Sequence, residues 1–135
     1  MATGHAKNQA TSRADQVSDE TRSRVITKAF LRAVGFLEIA RSDVALVLGI
    51  SEASLSRLFQ GGRTIEIRSK EGEIATYFLR LYRSLDTLFG GKREDSAKWF
   101  KSANTHLGGE PIELVKSIGG LVEVAGYLDS MRGKV

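Results

Sequence analysis

The sequence predicts an all-α protein, and two observations carry this prediction. Apolar residues recur three and four residues apart along most of the chain, which is the spacing of one face of an α-helix. Glycine pairs interrupt this spacing at intervals, and such pairs are typical of the point where one helix ends before the next begins. The 135 residues, 41% of them apolar, suffice for an ordinary helical core, and we expect seven helices.

Residues 41–60, RSDVALVLGISEASLSRLFQ, predict two short helices joined by a tight turn. Ala45 is small enough to let the helices approach, Gly49 provides the turn, and the Ser51 hydroxyl can cap the second helix. The expected inward positions are apolar, namely Val44, Leu48, Ile50, Leu55 and Leu58. This pattern predicts a helix-turn-helix, whose second helix enters the major groove of DNA.

The expected outward positions of the second helix are the candidate base contacts. They are Ser51 at its start, then Glu52, Ala53, Ser56, Arg57 and Gln60. We expect Arg57 to contact a base pair through both of its terminal nitrogens, whereas Glu52 would repel phosphate unless it faces a cytosine amino group. Backbone phosphates would be bound by Arg41, Ser42, Arg63 and Arg68. The alternatives are an ordinary helical hairpin, or the same fold with its surface used for dimerisation.

Four further segments lie on either side of the predicted helix-turn-helix. Residues 1–17 are polar and lack periodicity, so we expect a disordered leader. A first helix should begin at Ser18 or Asp19 and bury Val25, Ile26, Ala29, Phe30, Ala33, Val34 and Leu37. Gly61 and Gly62 should end the recognition helix, and the TIEI of residues 64–67 is a candidate extended piece. The longest helix should start near Glu71 and bury Ile74, Phe78, Leu81, Leu85 and Leu88.

The second half predicts three more helices. One covers residues 93–102 with Trp99 and Phe100 as its apolar residues, and a glycine loop follows. Pro111 suits the first turn of a short helix that Gly119 and Gly120 would close. The last helix should bury Val122, Ala125, Leu128 and Met131 and leave residues 132–135 free. The predicted organisation is a leader (1–17), a helix-turn-helix domain (18–84) and a second helical domain (85–135).

The charge is unevenly distributed between the two halves. Residues 1–84 carry 13 lysines and arginines against nine acidic residues, whereas residues 85–135 carry seven of each. All of the basic excess therefore lies in the half with the helix-turn-helix, which supports contact with phosphates.

Composition argues against several classes of protein. The chain has no cysteine and only two histidines, His5 and His106, so we expect no metal site and no cofactor. No nucleophile has a base beside it, and the acidic pairs stand in first turns of helices, where they favour the helix dipole; we therefore expect no enzyme. No apolar run approaches the roughly 20 residues of a membrane span, and the N-terminus is polar, which predicts a cytoplasmic protein.

The second half also carries a recognisable set of residues. They are Leu88, Phe89, Gly90, Gly91, Ala97, Trp99, Asn104, Leu107, Gly108, Pro111, Leu114, Gly119 and Leu128. In this pattern, residues 85–135 resemble the C-terminal toxin-binding domain of the Xre/MbcA/ParS antitoxins. In that family an Xre-type helix-turn-helix precedes the domain, and residues 41–63 match it here. The resemblance covers about residues 25–133.

The resemblance implies an antitoxin that directly binds a RES-fold toxin, which consumes NAD⁺, and that binds its own operator as a homodimeric repressor. It also implies that toxin-binding residues are Trp99, Asn104, Pro111, Leu114, Arg132, Gly133, Lys134 and Val135. The last four would enter the cleft of the toxin and block its substrate, although many relatives end in apolar or aromatic residues instead. We expect Trp99 to be chiefly buried, with Asn104 and Pro111 fixing the loop between them. The alternatives are a dimeric Xre-type regulator whose second domain binds another protein, and a small enzyme acting on nucleotides.

Overall fold

The computed structural model describes residues 12–133, and this part of the chain forms seven α-helices without a β-strand. The helices are α1 (Arg13–Phe36), α2 (Arg41–Leu48), α3 (Glu52–Gln60), α4 (Lys70–Leu88), α5 (Arg93–Lys101), α6 (Pro111–Leu114) and α7 (Ile118–Gly133). The prediction of an all-α fold is confirmed. None of the helices in residues 12–133 combines the length and the apolar character needed to cross a bilayer.

Helix α1 begins earlier than the sequence predicted. The Ser12 hydroxyl accepts a hydrogen bond from the Asp15 amide at 3.1 Å, so the helix starts at Arg13 rather than at Ser18 or Asp19. The apolar pattern missed these turns because residues 13–18 are all exposed. With 24 residues, α1 is longer than the 19-residue α4, which was expected to be the longest. The rest of the predicted leader, residues 1–11, lies outside the described residues.

Helices α2 and α3 form the predicted hairpin. Gly49 has a φ of 72°, which a residue with a side chain rarely adopts, and its amide donates to the Ala45 carbonyl at 2.8 Å. The Ser51 hydroxyl accepts from the Ser54 amide at 3.1 Å and so caps α3. The expected inward residues are buried, except that Ile50 is only partly so. The turn and the cap are confirmed, and α3 ends at Gln60 with Gly61 as its C-cap, as predicted.

The connector between α3 and α4 is not a strand. Ile65 is fully buried, and its amide donates to the Thr27 hydroxyl of α1 at 2.7 Å. The Ile67 amide donates to the Ser23 hydroxyl at 2.9 Å. Side-chain hydroxyls of α1 thus accept the hydrogen bonds of these two amides, and residues 64–67 belong to no sheet.

Helix α4 lies at the centre of the fold. Helix α7 packs along it more extensively than any other element does, and α1 packs against it next. The rings of Phe30, Phe78 and Phe100 join α1, α4 and α5 through two edge-to-face contacts, with centroids 5.2 and 5.9 Å apart. One hydrophobic cluster therefore spans both halves of the chain. The predicted boundary at residues 84 and 85 falls inside α4 and remains a prediction.

The start of the last helix differs from the prediction. Helix α6 has only four residues, and Gly119 and Gly120 stand in the first turn of α7 instead of closing the short helix. A Cβ on Gly120 would collide with the Leu114 carbonyl oxygen, so glycine is needed here for close packing. The Ser117 hydroxyl accepts from the Gly120 amide at 3.1 Å and caps the new helix.

The buried stripes of α7 and α1 are also slightly different from those predicted. In α7 the buried residues are Leu121, Val124, Ala125 and Leu128, whereas Val122 and Met131 are exposed. Val25 of α1 is exposed too, although its neighbour Ile26 is buried. Helix α7 continues to Gly133, so Arg132 and Gly133 are helical rather than free.

Candidate functional site

The outer face of α3 presents most of the predicted base contacts to solvent. Exposed residues on and beside it are Ser42, Ser51, Glu52, Ala53, Arg57 and Gln60, while Ser56 is half-buried. The Arg57 guanidinium donates to the Ser54 hydroxyl at 3.0 Å, which holds its side chain along the helix. Glu52 is in the first turn of α3, where the helix dipole favours a carboxylate. The structure thus brings these residues together on one surface.

Arg41 connects the start of α2 to the end of α3. Its guanidinium carbon lies 4.0 Å from the centroid of the Phe59 ring. A guanidinium stacked in this way keeps its in-plane N–H groups available, because the ring contacts only its flat face. Arg41 is exposed, so it can still donate to a phosphate beside α3.

Arg63, one of the predicted phosphate contacts, pairs with an acidic residue of α4. One of its terminal nitrogens donates to both carboxylate oxygens of Glu71, at 2.7 and 2.8 Å, and its side chain is only 28% exposed. Arg68, the other predicted phosphate contact in the connector, pairs with Asp19 of α1. The hydrogen bond that Arg68 donates to the Asp19 carboxylate raises the pKa of Arg68 above its usual value. Both arginines therefore hold the connector to its neighbouring helices.

A second cluster lies on α5, α7 and the loop between α5 and α6. The Trp99 and Tyr127 rings are stacked with centroids 6.4 Å apart and an interplanar angle of 12°. The His106 ring stacks against Tyr127 at 6.1 Å and 28°. We call these three residues the aromatic platform. Trp99 is half-buried rather than chiefly buried, because the cluster lies at the edge of the core.

Asn104 fixes the loop that carries His106. Its side-chain oxygen accepts hydrogen bonds from the backbone amides of His106 and Leu107 at 2.9 and 3.1 Å. The backbone amide of Asn104 donates to the Gly109 carbonyl at 2.9 Å. Pro111 follows as the buried first residue of α6, and Leu114 is half-buried at the end of that helix. The predicted contacts Trp99 and Asn104 thus stand at one surface.

Sequence reasoning missed two members of this platform. His106 looked like an isolated loop histidine, and Tyr127 stands beside Leu128 in an apolar stretch. No local pattern links residues 99, 106 and 127, because three separate segments bring them together. The sequence indicated that this loop is fixed through Asn104, which favours a turn, and Pro111, which suits the first turn of a helix.

The end of α7 is tied to α4 by a charged cluster. Asp129 accepts from the Ser84 hydroxyl at 2.8 Å and from Arg80 at 2.8 Å, and an Arg132 nitrogen lies 4.0 Å from it. The hydrogen bond from Ser84 lowers the pKa of Asp129, and the two arginine charges add to this effect. Arg132 is therefore next to Asp129, and Gly133 is exposed. Lys134 and Val135 lie outside the described residues.

Two contacts tie the α2–α3 hairpin and α1 to the second half of the chain. The Lys116 ammonium lies 2.8 Å from Asp43 of α2 and 2.6 Å from Glu113, and hydrogen bonds to both carboxylates raise its pKa. Arg93 of α5 donates to the Gly35 and Phe36 carbonyls at the end of α1, at 3.0 and 3.1 Å. The outer face of α3 and the aromatic platform therefore lie on parts of the chain that these contacts link.

Residues 84–134 match the family model described as the antitoxin Xre/MbcA/ParS C-terminal toxin-binding domain. The matched range contains the end of α4 and all of α5, α6 and α7, and so the whole aromatic platform. The match indicates that residues 84–134 form a toxin-binding domain of the antitoxin type.

In this part the chain is similar to the Xre/MbcA/ParS antitoxins. The resemblance predicted from the sequence is confirmed for this domain, while the α2–α3 hairpin lies outside the matched range. No curated protein matches the chain.

Proposed function

We propose that this antitoxin binds a RES-fold toxin, prevents it from consuming NAD⁺ by covering its active site, and represses its own operon as a homodimer. The observation that carries this proposal is the toxin-binding domain at residues 84–134. The predicted helix-turn-helix supports it, since the two short helices α2 and α3 are joined by a tight turn at Gly49. The protein would act in the cytoplasm, without a cofactor, a metal or a catalytic activity of its own.

The aromatic platform is the proposed centre of the toxin-binding surface. Tryptophan and tyrosine often dominate the energetics of protein interfaces, because each buries a large area with few rotatable bonds. Trp99 and Tyr127 are already stacked, so little side-chain freedom would be lost on binding. Asn104 holds the backbone of the His106 loop in the same way. We assign Pro111 and Leu114 to the support of this surface, because both pack towards the core.

The end of the chain is the proposed blocking segment. Helix α7 passes through the platform at Tyr127 and continues to Gly133, with the basic Arg132 in its last turn. In the sequence, the basic Lys134 follows. In a cleft that binds an anionic dinucleotide, these cations would meet the acids or dipoles that otherwise face the substrate. The platform would therefore dock the toxin, and residues 132–135 would occupy its cleft.

The α2–α3 hairpin is the proposed operator-binding element. Arg57 would contact a base, with Glu52, Ala53, Ser56 and Gln60 beside it on the exposed side of α3. Phosphate contacts would come from Arg41, Ser42 and the amide end of α3 near Ser51. Arg63 is left out of this set, because Glu71 holds it. A homodimer would present two such helices to a two-fold operator.

The experiment is to co-express the tagged antitoxin with the RES-fold protein encoded beside it. The proposal predicts that the two proteins purify together, that growth is restored and that NAD⁺ is no longer consumed. Loss of all three, with a toxin that is active alone, would refute it. Deletion of residues 132–135 separates docking from blocking, since the complex should persist while NAD⁺ consumption returns. Full inhibition by the shortened protein would show that the tail is not the blocking segment.

A further inference from the structure

An apolar surface unrelated to the aromatic platform runs across α2, α4 and α7. Of the six large apolar side chains exposed in residues 12–133, three belong to it: Leu46 at 57%, Ile118 at 56% and Val122 at 45%. They surround two adjoining grooves, of about 350 and 90 Å³, which share Ile74 and Leu121. We call Leu46, Ile74, Tyr77, Ile118, Leu121 and Val122 the α2–α7 surface. Apolar side chains concentrated in this way are typical of an interface.

The outward side of α7 supports this assignment. A surface helix usually carries charged residues opposite its buried stripe. Here the exposed positions in residues 118–126 are Ile118, Gly119, Val122, Glu123 and Gly126, of which only Glu123 is charged. Outside the backbone of the helix itself, no atom lies within 4 Å of where a Cβ on Gly119 or Gly126 would be. Packing within the described chain therefore does not explain these glycines, although glycine weakens a helix. A second helix could approach this side closely.

We propose that the α2–α7 surface binds the same surface of a second copy of the chain. Its edge carries both signs of charge, since Lys70 and Glu73 are exposed in the first turn of α4 and line the smaller groove. In a two-fold contact each surface meets itself, and an axis that passes between Lys70 and Glu73 would place Lys70 of one copy opposite Glu73 of the other. A partner with one sign of charge would be attracted by one of these residues and repelled by the other.

The position of the surface also favours a second copy over the toxin. Leu46, Ile74 and Tyr77 precede the toxin-binding domain, which begins at residue 84. Leu46 lies on α2, directly before the proposed recognition helix. A contact through α2 would set the separation of the two α3 helices, and an operator with two half-sites requires a fixed separation. The inference rests on the homodimer of the proposed function and identifies the surface that forms it.

The test measures the mass of the intact protein in solution by sedimentation equilibrium over a range of concentrations. Val122→Glu and Leu46→Glu each place a charge in the proposed contact, and we expect the dimer dissociation constant to rise at least about 100-fold. Val17→Glu is the matched control, because Val17 is 57% exposed on α1, away from this surface. It should leave the dimer unchanged, and circular dichroism should show that all three variants fold.

Charge exchange supplies an independent test that does not depend on apolar residues. Lys70→Glu and Glu73→Lys should each weaken the dimer through like charges, and the double variant should restore it. A wild-type dimer that tolerates Val122→Glu and Leu46→Glu, or a double variant as weak as the single ones, would overturn the assigned surface and leave the homodimer intact. A monomeric wild type would overturn both, whereas toxin binding is decided separately by co-purification.

Discussion

Replacing Tyr127 with alanine removes the ring on which both Trp99 and His106 stack. Each stacked aromatic pair stabilises a fold by about 0.5–1.5 kcal/mol beyond the area it buries, so the two contacts together contribute about 1–3 kcal/mol. Truncation of a central aromatic residue at an interface costs about 2 kcal/mol or more of binding free energy. At 1.4 kcal/mol for each factor of ten, toxin affinity should fall at least about 30-fold.

The assay is a calorimetric titration of the toxin with wild-type and Tyr127→Ala antitoxin, together with the remaining rate of NAD⁺ consumption. Tyr82→Ala is the matched control, because Tyr82 is also a half-buried tyrosine and its ring packs edge-to-face on Phe36, with centroids 5.6 Å apart. The control should lose stability and keep its toxin affinity. A folded Tyr127→Ala variant that binds the toxin within about twofold of the wild type would refute the assignment of the aromatic platform.

Three further predictions concern the hairpin, the connector and the end of α7. Arg57→Ala should weaken specific operator binding by about 1–3 kcal/mol in fluorescence anisotropy, and unchanged affinity would exclude Arg57 as a base contact. Arg63→Ala should instead lower the free energy of unfolding by about 1.5–3 kcal/mol, because it breaks a charged hydrogen-bonded pair with Glu71, and operator affinity should be retained. Urea unfolding measures the loss of stability of Arg63→Ala. A large loss of operator affinity in this variant, if it folds, would show that Arg63 contacts DNA. The lowered pKa of Asp129 stabilises the fold above the ordinary aspartate pKa, and this contribution is lost as the pH falls through the lowered value. The stability difference between wild type and Asp129→Asn, measured in urea at successive pH values, should therefore be larger at neutral pH than in acid, and a constant difference would contradict the role of the ionised carboxylate.

Local signals explain why the α2–α3 hairpin could be predicted from the sequence. Gly49 and Ser51 act on backbone groups within four residues of themselves, so their roles follow from the sequence alone. The apolar spacing along α4 likewise identifies Phe78 and Leu81 as buried. In contrast, the role of Arg63 depends on Glu71, which follows eight residues later across an irregular connector.

Helix α7 shows a second reason why the structure differs from the prediction made from the sequence. Residues 121–128 contain two overlapping helical stripes, one through Leu121 and one through Val122, and both share Ala125 and Leu128. Packing against α4 decides between them, and this contact joins residues far apart in the sequence. The aromatic platform is similar, because Trp99, His106 and Tyr127 become neighbours only after α5, the loop and α7 have packed.

The most direct test of the antitoxin function is a titration of the purified RES-fold toxin with the purified full-length chain, followed by NAD⁺ consumption. The proposed function predicts that consumption falls in proportion to the antitoxin added and stops at a fixed stoichiometry, with both proteins in one complex. Undiminished consumption by an active toxin, at antitoxin concentrations well above that of the toxin, would contradict it.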